Sequence, residues 1–105
     1  MAKSKLSLTA KPTFTALVPI PIPGGEPISV EFTFKGRTRD QYRVFLDELT
    51  GKEDLEVVME IISGWGLEDA FDATNVDLLL TNYLGAPRAI IDTYFHQLTQ
   101  ARLGN

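Results

Sequence analysis

The sequence has no cysteine, one histidine (His96) and one tryptophan (Trp65) in 105 residues. Without cysteine there are no disulfides, no thiolate nucleophile and no sulfur-ligated metal, which suits a reducing compartment. A lone histidine removes most other metal sites. Long apolar runs are also missing. The apolar stretch from Leu17 to Pro23 carries three prolines and is too short for a signal or membrane segment. Basic residues are in the minority, 10 against 14 acidic, giving a net charge of -4 and a pI near 4.8. Such a balance disfavours the phosphate backbone of nucleic acids. The expectation is a soluble, intracellular protein with no nucleic acid, membrane or cofactor among its partners.

What is present suits one ordinary globular domain: 44% of the residues are hydrophobic and 23% charged, enough for a modest core. Residues 1–11 lack a sustained period and read as a flexible arm on which Leu6 and Leu8 are the docking candidates. Residues 12–105 read as the domain, with a β-hairpin over 12–36 and a helical part over 38–103. In the hairpin the even positions Phe14, Ala16, Val18, Ile20 and Ile22 are apolar, as are Ile28, Val30, Phe32 and Phe34. Thr13, Thr15, Ser29, Glu31, Thr33 and Lys35 fall on the other face. Closure around Gly25 sets Ile22 opposite Ile28, Ile20 opposite Val30, Val18 opposite Phe32 and Ala16 opposite Phe34. Pro19 and Pro21 withdraw N–H groups from one side of the first strand, which places it at a sheet edge. The alternative for this run, a proline-rich ligand, needs a spacing of three that the prolines lack. Lys35-Gly36-Arg37-Thr38-Arg39 is a basic cluster, read as a solvated corner because no glycine-rich phosphate loop accompanies it.

Thr38 and Gln41 have capping-box spacing, so a helix is predicted through Tyr42, Phe45, Leu46 and Leu49, ending at Thr50-Gly51 with Gly51 just past its end. A second helix from about Glu53 presents Leu55, Val58, Met59, Ile61 and Ile62 and stops at Ser63-Gly64-Trp65-Gly66. The short connection favours an antiparallel pair. Trp65, between two glycines, is either a core side chain laid over the helices from a flexible joint or a partner-binding hot spot. Glu68, Asp69 and Asp72 form an acidic connector without the ligand alternation of a calcium loop. Thr74 and Asp77 repeat the capping signature before a helix with Val76, Leu79, Leu80 and Tyr83 on one side. Gly85 supplies backbone freedom for a bend, Pro87 suits a first turn, and the last helix carries Ile90, Ile91, Tyr94, Phe95 and Leu98 before fraying near Leu103. The fold class expected is α+β: an amino-terminal antiparallel β-hairpin packed on a carboxy-terminal bundle of about four short helices.

No catalytic constellation has a recognisable spacing. His96 on a helix reads as an ordinary side chain, and pairs such as Glu53-Asp54 and Glu68-Asp69 are adjacent and so point in different directions on a helix. No enzymatic function is expected.

The helical half resembles the tail assembly chaperones of long-tailed bacteriophages and their prophages. The resemblance is carried by Ile61-Ile62-Ser63-Gly64-Trp65, Val76-Asp77-Leu78-Leu79-Leu80, the run Asn82 to Ile90, Tyr94, and the closing Ala101-Arg102-Leu103-Gly104-Asn105. One departure is Leu84-Gly85, where the family has a tyrosine followed by proline or a small residue. The resemblance implies a non-enzymatic chaperone in the host bacterial cytoplasm that coats the tape measure protein and keeps it soluble during tail tube assembly. It also implies a carboxy-extended form, made by ribosomal frameshifting, that recruits tail tube protein. Leu103-Gly104-Asn105 is compatible with the slippery heptamer GGGAAAC in the register for a backward slip of one nucleotide. Reading the gene tests this.

A chaperone needs exposed apolar surface on a soluble body, and Met59, Trp65, Tyr83, Leu84, Tyr94 and Phe95 are the candidate partner-binding residues. The same surplus suits a homo-oligomer interface. The rival reading is a structural virion component, a tail-tube or head-tail joining subunit.

Overall fold

The computed structural model describes residues 3–100. Two strands, β1 (Thr13–Ile20) and β2 (Ile28–Lys35), form the expected antiparallel hairpin. The even positions face inward as alternation requires: Val18, Ile20, Phe32 and Phe34 are buried, whereas Thr15, Leu17, Ser29 and Glu31 are exposed. The register is two residues away from the expected one. Phe14 lies opposite Phe34, Ala16 opposite Phe32, Val18 opposite Val30 and Ile20 opposite Ile28. Closure occurs around Gly24, which has a φ of 75°. A shift of two leaves every side chain on its own face, so the period of the pattern does not distinguish the two registers.

After the hairpin come helices α1 (Arg39–Asp47) and α2 (Asp54–Ile61), then a third strand, β3 (Ile62–Trp65), then helices α3 (Ala73–Asn82) and α4 (Ala86–Thr99). The sheet order is β1-β2-β3, so β1 is an edge strand as its prolines require. The strand β3 replaces the flexible joint expected at Ser63-Gly64-Trp65-Gly66. Phe32 lies opposite Trp65, Thr33 opposite Gly64 and Phe34 opposite Ile62, with an irregularity that leaves Ser63 as the extra residue. Four residues are too few to show a period; the free hydrogen-bonding edge of β2 makes them a strand. The helices α2 and α4 close over the apolar face of the sheet, with α4 against β1 and α2 against β2 and β3, and α3 packs on α2 and α4. The opposite face stays open. The result is a two-layer α+β arrangement with its core between sheet and helices.

Three helix boundaries differ from expectation. The Thr38 capping box forms, with Thr38 Oγ1 accepting from the Gln41 N–H at 3.3 Å and Gln41 Oε1 accepting from the Thr38 N–H at 2.9 Å. However, α1 ends at Asp47, and successive turns carry the chain on, with the Leu49 N–H on Leu46 O (3.3 Å) and the Lys52 N–H on Leu49 O (3.1 Å). Gly51, with φ 85°, serves the turn and not the helix end. The cap of α3 is Asp72, two residues before the expected Thr74, with Asp72 Oδ1 accepting from the Asn75 N–H at 2.8 Å. The end of α4 comes at Thr99, with Gln100 left-handed at φ 56°. Leu103, the closing Ala101 to Asn105 and the codon argument lie outside the described residues.

Nor do α1 and α2 pack as an antiparallel pair. The rings of α1 turn to α4 instead, Tyr42 onto Phe95 (centroids 6.1 Å) and Phe45 onto Tyr94 (6.0 Å). Pro87 sits in the first turn of α4 as expected. Gly85 has ordinary helical angles, φ -86° and ψ -5°, so it does not provide backbone freedom. What it provides is space: a Cβ there would stand 2.8 Å from Pro21 Cγ. The absence of a side chain at Gly85 lets the start of α4 close onto the chain leaving β1.

Candidate functional site

An open apolar cleft of about 330 Å³ lies between the turn end of the hairpin and α3. The hairpin supplies Ile20, Ile22, Ile28 and Val30, which continue the apolar face of the sheet beyond the reach of the helices. The opposite wall is Leu78 and Leu79 of α3, with Tyr83 just past its end. Trp65 of β3 forms part of the lining. Its indole Nε1–H donates to Asp69 O at 2.9 Å, and its ring meets Phe32 and Phe71 edge-on, at 6.3 Å and 5.4 Å between centroids. The tryptophan is thereby held by one polar tip and two aromatic edges, half-buried, with part of its surface left to the cleft. Ile28 and Leu78 are more than half exposed, at 58% and 56%.

Of the six residues expected to meet a partner, Trp65 and Tyr83 line this cleft, and Leu84 follows Tyr83 with 85% of its surface exposed. Met59 and Phe95 are half-buried against the core and stand apart from the cleft. Tyr94 is not exposed at all, which corrects its place among the surface candidates. Its ring stacks near Phe34 (5.6 Å) and Phe14 (6.3 Å), and its hydroxyl donates to Lys35 O at 2.8 Å. That hydroxyl also accepts from Arg37 Nη1 at 2.7 Å, while Arg37 Nη2 donates to Glu60 O at 3.0 Å and the guanidinium lies 4.3 Å from the centre of the Phe45 ring. Arg37, expected at a solvated corner, is therefore a clamp joining β2, α2 and α4 through Tyr94. Sequence reading missed Ile28 and Leu79 because they occupy the same apolar stripes as core residues, and Leu78 because it falls outside the stripe of Val76 and Leu80. The only signal was the excess of large apolar side chains along α3.

Burial pushes the Tyr94 phenol above its ordinary value, with the Arg37 hydrogen bond opposing in part. The unfolded chain then ionises its tyrosine at lower pH than the folded protein. The stabilisation is complete below the unfolded value of 10.0 and is lost as pH rises through the folded value. Lys52 acts in the same direction: its ammonium, raised by the hydrogen bond to Glu60 at 2.7 Å, favours the folded state until the pH passes its ordinary 10.5. Urea midpoints measured from about pH 8 to about pH 11 should fall at the alkaline end. They should fall less steeply in Tyr94→Phe; an identical slope would remove Tyr94 from the titration.

Among the described residues no three His, Cys, Asp or Glu side chains group as metal ligands, and no helix is long and apolar enough to cross a membrane. The geometry defines a class, that of small α+β domains with an open apolar cleft at one end. Comparison of the sequence with known families is more specific. The chain belongs to the phage tail assembly chaperone family, whose family model matches residues 1–105. No curated protein and no solved structure matches the chain. Membership places the protein in phage tail assembly, in the role of a chaperone.

Proposed function

We propose that the protein binds the tape measure protein through the cleft between the hairpin and α3 and keeps it soluble while the tail tube assembles. The observation that carries this reading is the exposure of Ile28 and Leu78 beside the half-buried Trp65 and Tyr83. Four large apolar side chains line one cleft there, two of them half-buried and two more than half exposed among the described residues. A groove of this kind takes the apolar face of an amphipathic helix, the form in which a long helical client presents itself. The half-exposed tryptophan and tyrosine have the character of interface anchors. Such a protein acts without catalysis, in the host bacterial cytoplasm. A frameshifted, carboxy-extended form would add tail tube protein as a second partner, and the apolar surface is also available for self-association.

Co-expression tests the reading. With the wild-type chain, tape measure segments should stay in the soluble fraction. With Leu78→Asp the affinity should fall at least about ten-fold, the effect of losing an interface residue worth about 1.4 kcal/mol or more. Leu78 is exposed, so the substitution leaves the core intact. Tape measure segments that aggregate equally with and without the chain would sink the proposal. So would abundance of the protein in purified particles, the mark of a tail-tube or head-tail joining subunit.

A further inference from the structure

We propose that the cleft also takes the amino-terminal arm of a second copy of this chain, residues 3–11. This inference is independent of the tape measure reading, because its test contains no client.

Charge is divided unevenly in this protein. All of the cleft lining comes from two stretches, 12–34 and 53–87. Neither contains a lysine or arginine. Their charged residues are all acidic: Glu26 and Glu31 in the first, and Asp69 of the lining with Glu68, Asp72 and Asp77 among those of the second. An apolar cleft set wholly in acidic chain fits an apolar segment that carries positive charge.

The arm has that composition. Lys3-Ser4-Lys5-Leu6-Ser7-Leu8-Thr9-Ala10-Lys11 holds three lysines, no acid and two leucines. It forms neither helix nor strand, and its leucines are almost wholly exposed, Leu6 at 82% and Leu8 at 101%. In an extended segment Leu6 and Leu8 point to one side and Ser7 to the other, so both leucines can enter one groove. Lys3 and Lys5 on one flank and Lys11 on the other are then available to the acidic rim.

The arm cannot set both of its leucines in the body of its own chain's cleft. It joins the fold at Pro12, whose carbonyl accepts from the Gly36 N–H, whereas the body of the cleft, Ile20, Ile22 and Ile28, lies at the far end of β1, and only Val30 and Trp65 reach back level with Val18 and Ala16. The seven steps of strand from Thr13 to Ile20 span about 23 Å. Leu8 is five residues from Thr13, a reach of at most about 18 Å even without the reversal of direction. Leu6 reaches about the length of β1 only if nothing is spent on turning back. The contact is therefore made between copies, arm of one into cleft of the next.

Trp65, the only tryptophan, lies in the cleft and reports its occupancy. A peptide of residues 3–11 should be titrated into the full chain carrying Leu6→Ser and Leu8→Ser, whose own arms no longer compete. The expected result is a saturable change in Trp65 emission that weakens severalfold as salt is raised from about 50 mM to about 500 mM. In sedimentation velocity the wild-type chain should become larger with concentration, and the Leu6→Ser, Leu8→Ser chain should remain a monomer. The proposal is overturned if the peptide leaves Trp65 emission unchanged. It is equally overturned if a peptide with both leucines replaced by serine gives the same response, or if the two chains sediment alike.

Discussion

Tyr94→Ala is expected to destabilise the protein by about 3–5 kcal/mol, the range for emptying a buried aromatic site. A domain of this size has roughly 5–15 kcal/mol in all, so a large part of its stability goes with one side chain. The reason lies in how many elements converge there. Phe14 of β1, Phe34 of β2 and Phe45 of α1 all have their rings within 6.3 Å of the Tyr94 ring, and α4 carries the ring itself. Truncation leaves a cavity where both layers meet and frees the Arg37 guanidinium from its phenol partner. Tyr94→Phe separates the two contributions. It keeps the ring but leaves the Lys35 carbonyl and one Arg37 donor unpaired, for about 1–3 kcal/mol. Urea unfolding of the three proteins gives the order wild type, then Phe, then Ala. An Ala variant that unfolds like wild type yet loses its partner would return Tyr94 to the surface role first expected of it.

Gly85→Ala is expected to cost about 1–3 kcal/mol, although alanine normally gains about 0.4–1 kcal/mol over glycine where the backbone allows it. The backbone does allow it here, since φ is -86°. The added methyl does not fit, because its carbon would stand 2.8 Å from Pro21 Cγ and 3.1 Å from Pro21 Cβ, in a ring with little freedom to yield. Alanine is also a poorer residue than glycine at the helix cap that Gly85 occupies. Gly25→Ala is the control: there a new methyl meets only Ile22, at 3.5 Å, so the change should stay within about 0.5 kcal/mol. Thermal unfolding should show a fall in midpoint for the first variant and none for the second. Adding Pro21→Ala to Gly85→Ala should restore part of the loss; no recovery would mean that the close approach is not the cause.

Much of the local structure was legible from residues alone. Alternation assigned the faces of β1 and β2 correctly, Thr38 and Gln41 marked the start of α1, Pro19 and Pro21 marked an edge, and Pro87 marked a first turn. Each of these depends on chemistry within a few residues of chain: side-chain alternation, a reachable N–H, a missing N–H.

What only the tertiary structure decided involves partners far away in sequence. Two hairpin registers that differ by two residues bury the same faces, and the turn at Gly24 selects between them. Ile62 to Trp65 become a strand because β2 has an unpaired edge, a fact recorded nowhere in those four residues. Tyr94 and Phe95 are neighbours on one apolar stripe, yet the sheet and α1 together bury Tyr94 completely, whereas Phe95 meets α1 and stays half-buried. The cleft follows the same rule. Ile28 belongs to a stripe that elsewhere forms the core, and it becomes surface because, among the described residues, no helix extends over the turn end of the hairpin. A periodic pattern states which side of an element avoids water; the packing of the other elements determines how much of that side is covered.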